Sequence, residues 1–494
     1  MKLLRQFGIF CGQVWKALFS GRPERHYRWV GWATIVILYL VGIGFWGSFF
    51  RWGNFPYQFQ DWAQITIPRI AFVRDALLKG QLPLNMADTS GLKNTTDRYL
   101  EVPDVITAPQ MVLLLFLNLT QFILVNEWVM YTIGVVGLLL IRRKFGLSPV
   151  SYTLLFLFFN FNGQIQSHLS VGHYTWLGYY LFPFLFILAV RLLEAPQGWR
   201  WVAQVAFLLF FMELQGSFHQ FVWSLMFLGL LGLAAWRRLW SVLKALIASG
   251  LLSAVRLLPP TLALNQLSVH FLSGFPTFSD LINGFTQLID PATAYAMHYS
   301  YNSLSWWEFD FYLGMAGAIV FLVFGVVAWI YNQFHGRRQY PQLLLPVLVM
   351  TILSMGSIYQ PVMSIPFPLL AAERVSSRLI TLPYTFVMII AAINLQYWLE
   401  RLLRPIFLQI AILPLMALLV HDLYHHFLAW NLAASSKAFE LTPVNLATKV
   451  VNNHSDPQYL TVVAIGAGIS LVIAIVLLYL GTREKKFSVQ NTTS

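Results

Sequence analysis

Residues 29–50 read WVGWATIVILYLVGIGFWGSFF, without a single charged side chain. A helix rises about 1.5 Å per residue, so about 20 apolar residues cross the hydrocarbon of a bilayer. The flanks differ in charge: Lys2, Arg5, Lys16, Arg22, Arg25 and Arg28 precede the run, while Arg51 and then Asp61 follow it. Basic residues collect on the cytoplasmic side of membrane spans. The stretch therefore reads as a retained first span with its amino terminus inside, and no small-residue cleavage pattern marks it as a removable signal peptide.

The rest of the chain agrees. Of 494 residues, 57% are hydrophobic and 11% charged, against roughly 25% charged in ordinary globular chains. With 18 Trp, 21 Tyr and 40 Phe, the chain has too little polar surface to cover itself in water. Soluble-enzyme, disordered and collagen-like classes are excluded. So is a disulfide scaffold, because Cys11 is the single cysteine.

Further apolar stretches lie at 128–141, 150–164, 175–193, 201–213, 220–236, 242–258, 311–331, 343–358, 379–399, 406–421 and 459–480. The expected fold is an all-α polytopic bundle of about twelve spans with both tails in the cytoplasm. Residues 109–141 read as one span preceded by a short interfacial segment. In this arrangement Arg142, Arg143, Lys144, Arg191, Arg200, Arg237, Arg238, Lys244, Arg337, Arg338, Arg401, Arg404, Arg483, Lys485 and Lys486 all join the basic tail inside. The net charge of +12 is thus an orientation signal and implies no nucleic-acid partner. Residues 1–28 form a cytoplasmic basic tail, 29–480 the membrane domain and 481–494 a second cytoplasmic tail.

Long connections are confined to the outer side, at 51–108, 259–310 and 422–458, and long ordered loops on one face tend to carry function. In the first, Pro68 opens and Gly80 follows a short helix, the expected asymmetry of helix termini. Ile70, Val73 and Leu77 share one face while Arg69, Asp75 and Lys79 fall largely elsewhere. Such a helix is expected to lie along the membrane surface.

A basic tail, one span, and an outer loop with an early acid and interfacial helices together resemble the GT-C superfamily of multi-pass glycosyltransferases, most of all its YfhO-like branch. Four further segments fit that resemblance: GQIQSHLSVGHYTWLGYYLFP at 163–183, AVRLLPP at 254–260, WEFDFYLG at 307–314 and ERVSSR at 373–378. The likeness covers most of residues 29–400. It implies a membrane-embedded transferase that moves a sugar from a polyprenyl-phosphate-sugar donor to a glycan, lipid or protein acceptor, at the extracytoplasmic face of what is expected to be a bacterial plasma membrane. No cofactor or metal is implied.

The residue types suit that chemistry. Deprotonating an acceptor hydroxyl needs a carboxylate within hydrogen-bond reach, and Asp61 stands where the family carries its catalytic acid. Paired acids are common there, whereas Asp61 is followed by Trp62, so a second carboxylate is expected from Asp104. A departing phosphate calls for fixed positive charge, which arginine offers as a planar fork. Arg374 and Arg378, four apart, would share a helical face. Arg256 is expected near phosphate, or paired with Glu308 or Asp310. His168, His173 and His219 are expected to hydrogen-bond sugar, with interfacial packing as the plainer role; the five-residue spacing of His168 and His173 argues against a shared metal. His421 and His425 have metal-ligand spacing but no evident third partner. Asp97 and Glu101 read as part of a solvated loop, and Trp176, Trp306 and Trp307 as interfacial aromatics or groove walls.

Two other classes compete with the transferase. A lipid or polysaccharide transporter or flippase commonly has this many spans, but usually shows repeated halves, and none is evident here. A non-catalytic membrane assembly protein would keep the fold without the chemistry.

Overall fold

A computed structural model describes residues 2–263, 271–297, 304–335, 339–363, 365, 373–402, 404–444 and 450–490, with backbone alone for 2–4 and 485–490. The expected cytoplasmic charges Arg337 and Arg338, and parts of the second and third outer loops, lie outside these residues. Among the described residues the secondary structure is helical, with isolated β-bridges only.

Among the described residues, seven helices are long and apolar enough to cross a membrane: Arg25–Phe49, Leu119–Phe145, Tyr174–Glu194, Gly314–Phe334, Ser376–Arg401, Pro405–Trp430 and Pro457–Glu484. Phe218–Ala234 and Trp236–Leu252, bent by 116° at their junction, add an eighth if they form one span. The remaining expected segments are shorter helices. The stretch expected at 150–164 divides into Pro149–Phe161 and Gly163–Val171 because Asn162 takes an extended conformation and caps the second helix through Ile165 N–H at 3.3 Å. A side-chain cap satisfies a donor that the first turn leaves orphaned. Residues 109–141 form one crossing helix after a short 3-10 turn, Pro109–Leu115. An Asn118–Gln121 capping box opens that helix and Gly146, at φ 63°, ends it.

Ser376–Arg401 is the axis of the bundle, its apolar window wholly buried, whereas those of Pro405–Trp430 and Pro457–Glu484 are 22% and 17% buried. Aromatic packing fixes the axis: Phe386 lies 5.0 Å from Phe186 and 4.4 Å from Phe227 between ring centres. Such pairs add roughly 0.5–1.5 kcal/mol each beyond the area they bury. An additional helix, Lys2–Phe19, occupies the amino-terminal tail and is tied back by Trp15 Nε1–H to Gln409 Oε1 at 2.8 Å.

The connections segregate by end. Helix Leu119–Phe145 begins beside the first long loop, where the Thr120 hydroxyl donates to Gly53 O. Gly146, just past its far end, lies against Gly21, and Lys144 pairs there with Glu194. At the first end the long loops knit together. Val451 N–H donates to Asp75 Oδ2 at 3.0 Å, and Arg98 forks onto Asp456 at 2.6 and 3.2 Å. Leu272 N–H donates to Arg374 O at 2.9 Å.

The first-loop helix runs Ile67–Leu78 with Pro68 in its first turn, and Gly80 follows at φ 65°. Its burial extends beyond the expected apolar face. Ile67, Pro68, Arg69, Ile70, Phe72, Val73 and Ala76 are all buried. Arg69 tolerates burial because its head finds acceptors inside, Gly91 O at 2.9 Å and Asp104 Oδ1 at 3.1 Å.

Candidate functional site

The site forms where the first loop meets helix Gly163–Val171. Trp62, fully buried, packs 4.5 Å from Tyr57 and 5.6 Å from Tyr174 between ring centres. Its indole N–H reaches Leu169 O and Ser170 O at 3.1 and 3.0 Å, and the Thr66 hydroxyl donates to Gly172 O at 2.8 Å. These bonds dock the loop onto the helix end and set Asp61 beside His173. Asp61 precedes the helical turn Trp62–Thr66 but makes no side-chain cap; instead its Oδ2 lies 3.2 Å from His173 Nε2. Trp62, which broke the expected acid pair, is therefore the anchor that positions the acid.

Gly172 completes the arrangement. It ends the helix at φ 101°, in the left-handed region that suits glycine, and the chain folds back. His173 Nδ1 then meets His168 Nδ1 at 2.7 Å. His168 is stacked 4.0 Å above Trp176, and its Nε2 lies 4.0 Å from Glu308 Oε2. Arg378 forks onto Glu308, Nε to Oε2 at 2.7 Å and Nη2 to Oε1, with its guanidinium 5.0 Å from the Trp176 ring centre. Asp61, His173, His168, Glu308 and Arg378 thus form one continuous polar chain.

A second branch begins at Glu373, which is 1% exposed. His219 Nδ1 lies 3.0 Å from its Oε2, Trp223 Nε1–H donates to Oε2 at 2.9 Å, and Val375 N–H donates to Oε1 at 3.1 Å. Arg69 and Asp104 form a third group, with Lys93 in electrostatic reach of both Asp61 and Asp104.

Asp61 keeps 37% of its side chain accessible, although protein atoms surround it closely. Burial raises its pKa, but the hydrogen bond and charge of His173, helped by Lys93 and Arg69, more than reverse that and hold it below the usual aspartate range. Asp104 follows the same logic: burial raises it, while Arg69, Lys93 and His219 bring it far below the usual range. Glu308 and Glu373 are likewise lowered against burial, the first chiefly by Arg378 and the second chiefly by His219. Burial, with His173, Arg378 and His219 adding to it, drives His168 well below the ordinary histidine value and keeps its ring neutral.

Other expectations are corrected. Arg374 and Arg378 do not share a helical face, because Arg374 sits exposed in a bend before the 3-10 helix Ser376–Ile380. Arg256 pairs with neither Glu308 nor Asp310. It is buried against the carbonyls of Leu100, Val102, Pro103 and Val105 at 3.0–3.4 Å, bracing the first loop. Asp310 instead meets buried His426 at 2.9 Å, and His421 turns to Asp422 at 3.2 Å. Glu101 is buried and paired with Arg98 at 2.7 Å. Trp176 and Trp306 are buried, while Trp307 packs 5.8 Å from Phe439 between ring centres.

No known protein family, curated protein or solved structure matches this chain.

Proposed function

We propose that the chain is a membrane glycosyltransferase that moves a sugar from a polyprenyl-phosphate-sugar donor to an acceptor at the extracytoplasmic face. Its twelve-span arrangement keeps both tails in the cytoplasm, and Asp61 is the general base. The observation that carries this reading is the placement of an ionised, accessible Asp61 among cationic groups brought from distant parts of the chain. A base must be unprotonated and reachable before an acceptor hydroxyl can give up its proton. Asp61 is both, and His173 orients it.

A phosphate-linked donor also needs free cations, and Lys93 is one whose charge acts on Asp61. Lys93 and Arg374 are exposed, and neither has an ion-pair partner among the described residues. They would carry the donor phosphate, while Arg378, occupied by Glu308, fixes the site's geometry. The apolar bundle provides the wall for the polyprenyl chain.

The test feeds radiolabelled polyprenyl-phosphate sugars to purified protein and to Asp61→Asn. Covalent transfer is expected from the wild type and a drop of roughly 10²–10⁴-fold from the variant. Transfer that survives Asp61→Asn removes the base assignment. Movement of substrate across a vesicle without a covalent product makes the chain a transporter.

A further inference from the structure

His168, His173 and Glu308 each offer one ligand atom, and these atoms lie within 4.8 Å of one another; no other such group of three occurs among the described residues. Residues 168 and 173 cannot stack on one face of a helix. The fold unites them by ending the helix at Gly172 and reversing the chain. Glu308 arrives from the short 3-10 helix Trp306–Glu308. Bonds of about 2.0–2.1 Å from a tetrahedral zinc ion place its ligand atoms roughly 3.4 Å apart. With one atom taken from each residue the three lie within 4.8 Å of one another, so shifts on the order of 1 Å would bring them to that spacing.

Proton bookkeeping points the same way. When His173 is neutral and donates Nε2–H to Asp61, its Nδ1 carries a lone pair, which His168 Nδ1–H must satisfy. His168 Nε2 is then a lone pair facing the Glu308 carboxylate. Two electron-rich atoms so placed, in a site 1% and 4% exposed, call for one positive charge, which either a second proton on His173 or a bound cation supplies. The Arg378 fork does not exhaust Glu308, because a carboxylate presents about four lone-pair sites. The surroundings also tolerate added positive charge: four carboxylates (Asp61, Asp104, Glu308 and Glu373) face three fixed cations, Arg69, Lys93 and Arg378.

We propose that His168, His173 and Glu308 bind a divalent first-row transition metal of the zinc class, with Asp61 as the carboxylate that orients His173. Two imidazoles and one carboxylate suit such an ion better than magnesium or calcium, which favour all-oxygen shells. Three protein ligands leave a fourth position for an exogenous group. A metal-bound histidine usually gives its other N–H to a carboxylate, and losing that carboxylate weakens binding by about 10–100-fold. Binding breaks the hydrogen bond between the two rings: His173 turns its Nδ1 lone pair to the ion, and His168 binds through one ring nitrogen only, losing its Nδ1 proton if that nitrogen is the ligand. The inference stands on this geometry alone and holds whether or not sugar is transferred.

The experiment strips full-length protein in detergent with EDTA and titrates it with Co²⁺, following the visible ligand-field bands, then displaces the cobalt with Zn²⁺. One equivalent is expected in the wild type. His168→Ala and His173→Ala should each abolish it, Asp61→Asn should weaken it by about 10–100-fold, and His421→Ala should leave it unchanged. Wild-type protein that takes up no cobalt overturns the proposal, as does uptake that persists in both histidine variants. Should those variants fail to fold, X-ray absorption on the zinc-loaded wild type decides: two imidazoles in the shell support the site, and fewer than two overturn it.

Discussion

The Nδ1 atoms of His168 and His173 meet at 2.7 Å across a single glycine turn. Gly172 N–H returns to Leu169 O and His173 N–H to His168 O, so the turn is held by its own backbone. Everything that the polar chain from Asp61 to Arg378 does depends on that reversal.

Gly172→Ala is therefore the sharpest structural test. A β-carbon there would stand 2.8 Å from Asp61 C and 3.1 Å from Trp62 Cα, and still closer to Trp62 N, at a φ that side chains avoid. We expect a loss of about 1–3 kcal/mol and displacement of the first loop. Thermal unfolding in detergent should show the destabilisation, and activity should fall as far as in Asp61→Asn. Unchanged stability would mean that the loop is not docked as described.

Arg69→Met strands Asp104. The arginine is 6% exposed but its partner keeps 27%, so the cost is set on the order of 2 kcal/mol, below the 3–5 kcal/mol of a fully buried pair. The pH dependence has a definite sign. The folded pKa of Asp104 is depressed, so its contribution is complete above the unfolded value of about 3.9 and is lost as pH falls through the lower folded value. The stability gap between wild type and Asp104→Asn should be flat from neutral pH to about 5 and narrow only below about 4. A gap that closed near neutrality would contradict the assignment.

Glu308 and Arg378 should behave as a unit. Arg378→Met leaves a buried carboxylate without its fork and is expected to cost about 3–5 kcal/mol. Adding Glu308→Gln should restore part of that, because the stranded charge is gone. A double-mutant cycle reads the coupling directly; strictly additive losses would show that the pair is not formed.

Glu373 accepts from Trp223 and from Val375 N–H, and meets His219. Glu373→Ala orphans the buried indole N–H and should lower stability by about 1–3 kcal/mol. Glu373→Gln keeps an acceptor in place and should cost less. Equal losses from the two substitutions would argue that the hydrogen bonds contribute nothing.

What local pattern determines was legible in the sequence. The uncharged run at 29–50, the proline and glycine bounding the first-loop helix, and the single helix across 109–141 are set by composition and helix-end chemistry. Asp61 stood out for its position after the first span. The rest depends on contacts between distant residues. Glu308 and Arg378 are 70 positions apart, and His219 and Glu373 are 154 apart. The burial of Arg69 follows from Asp104 and Gly91 closing over it, which helix periodicity does not encode. A short turn at Gly172 was legible between His168 and His173, but five-residue spacing on a helical face does not show that the turn folds the second ring back onto the first. Lys93, Trp62 and Trp223 earned no role from spacing, since each acts through a partner elsewhere in the chain.

The clamp from Arg98 to Asp456 spans 358 positions. At roughly 5–20 residues per second of synthesis, the first loop emerges about 20–70 s before the acid that holds it. During that interval Arg98 has Glu101 but not its second anchor, and the Val451 strap over Asp75 has not yet been made. Latching of the long loops is therefore a late event in biogenesis, timed by arrival of the carboxyl-terminal helix. A ribosome stalled before residue 451 would leave a chain inserted in the lipid with its first loop still unlatched.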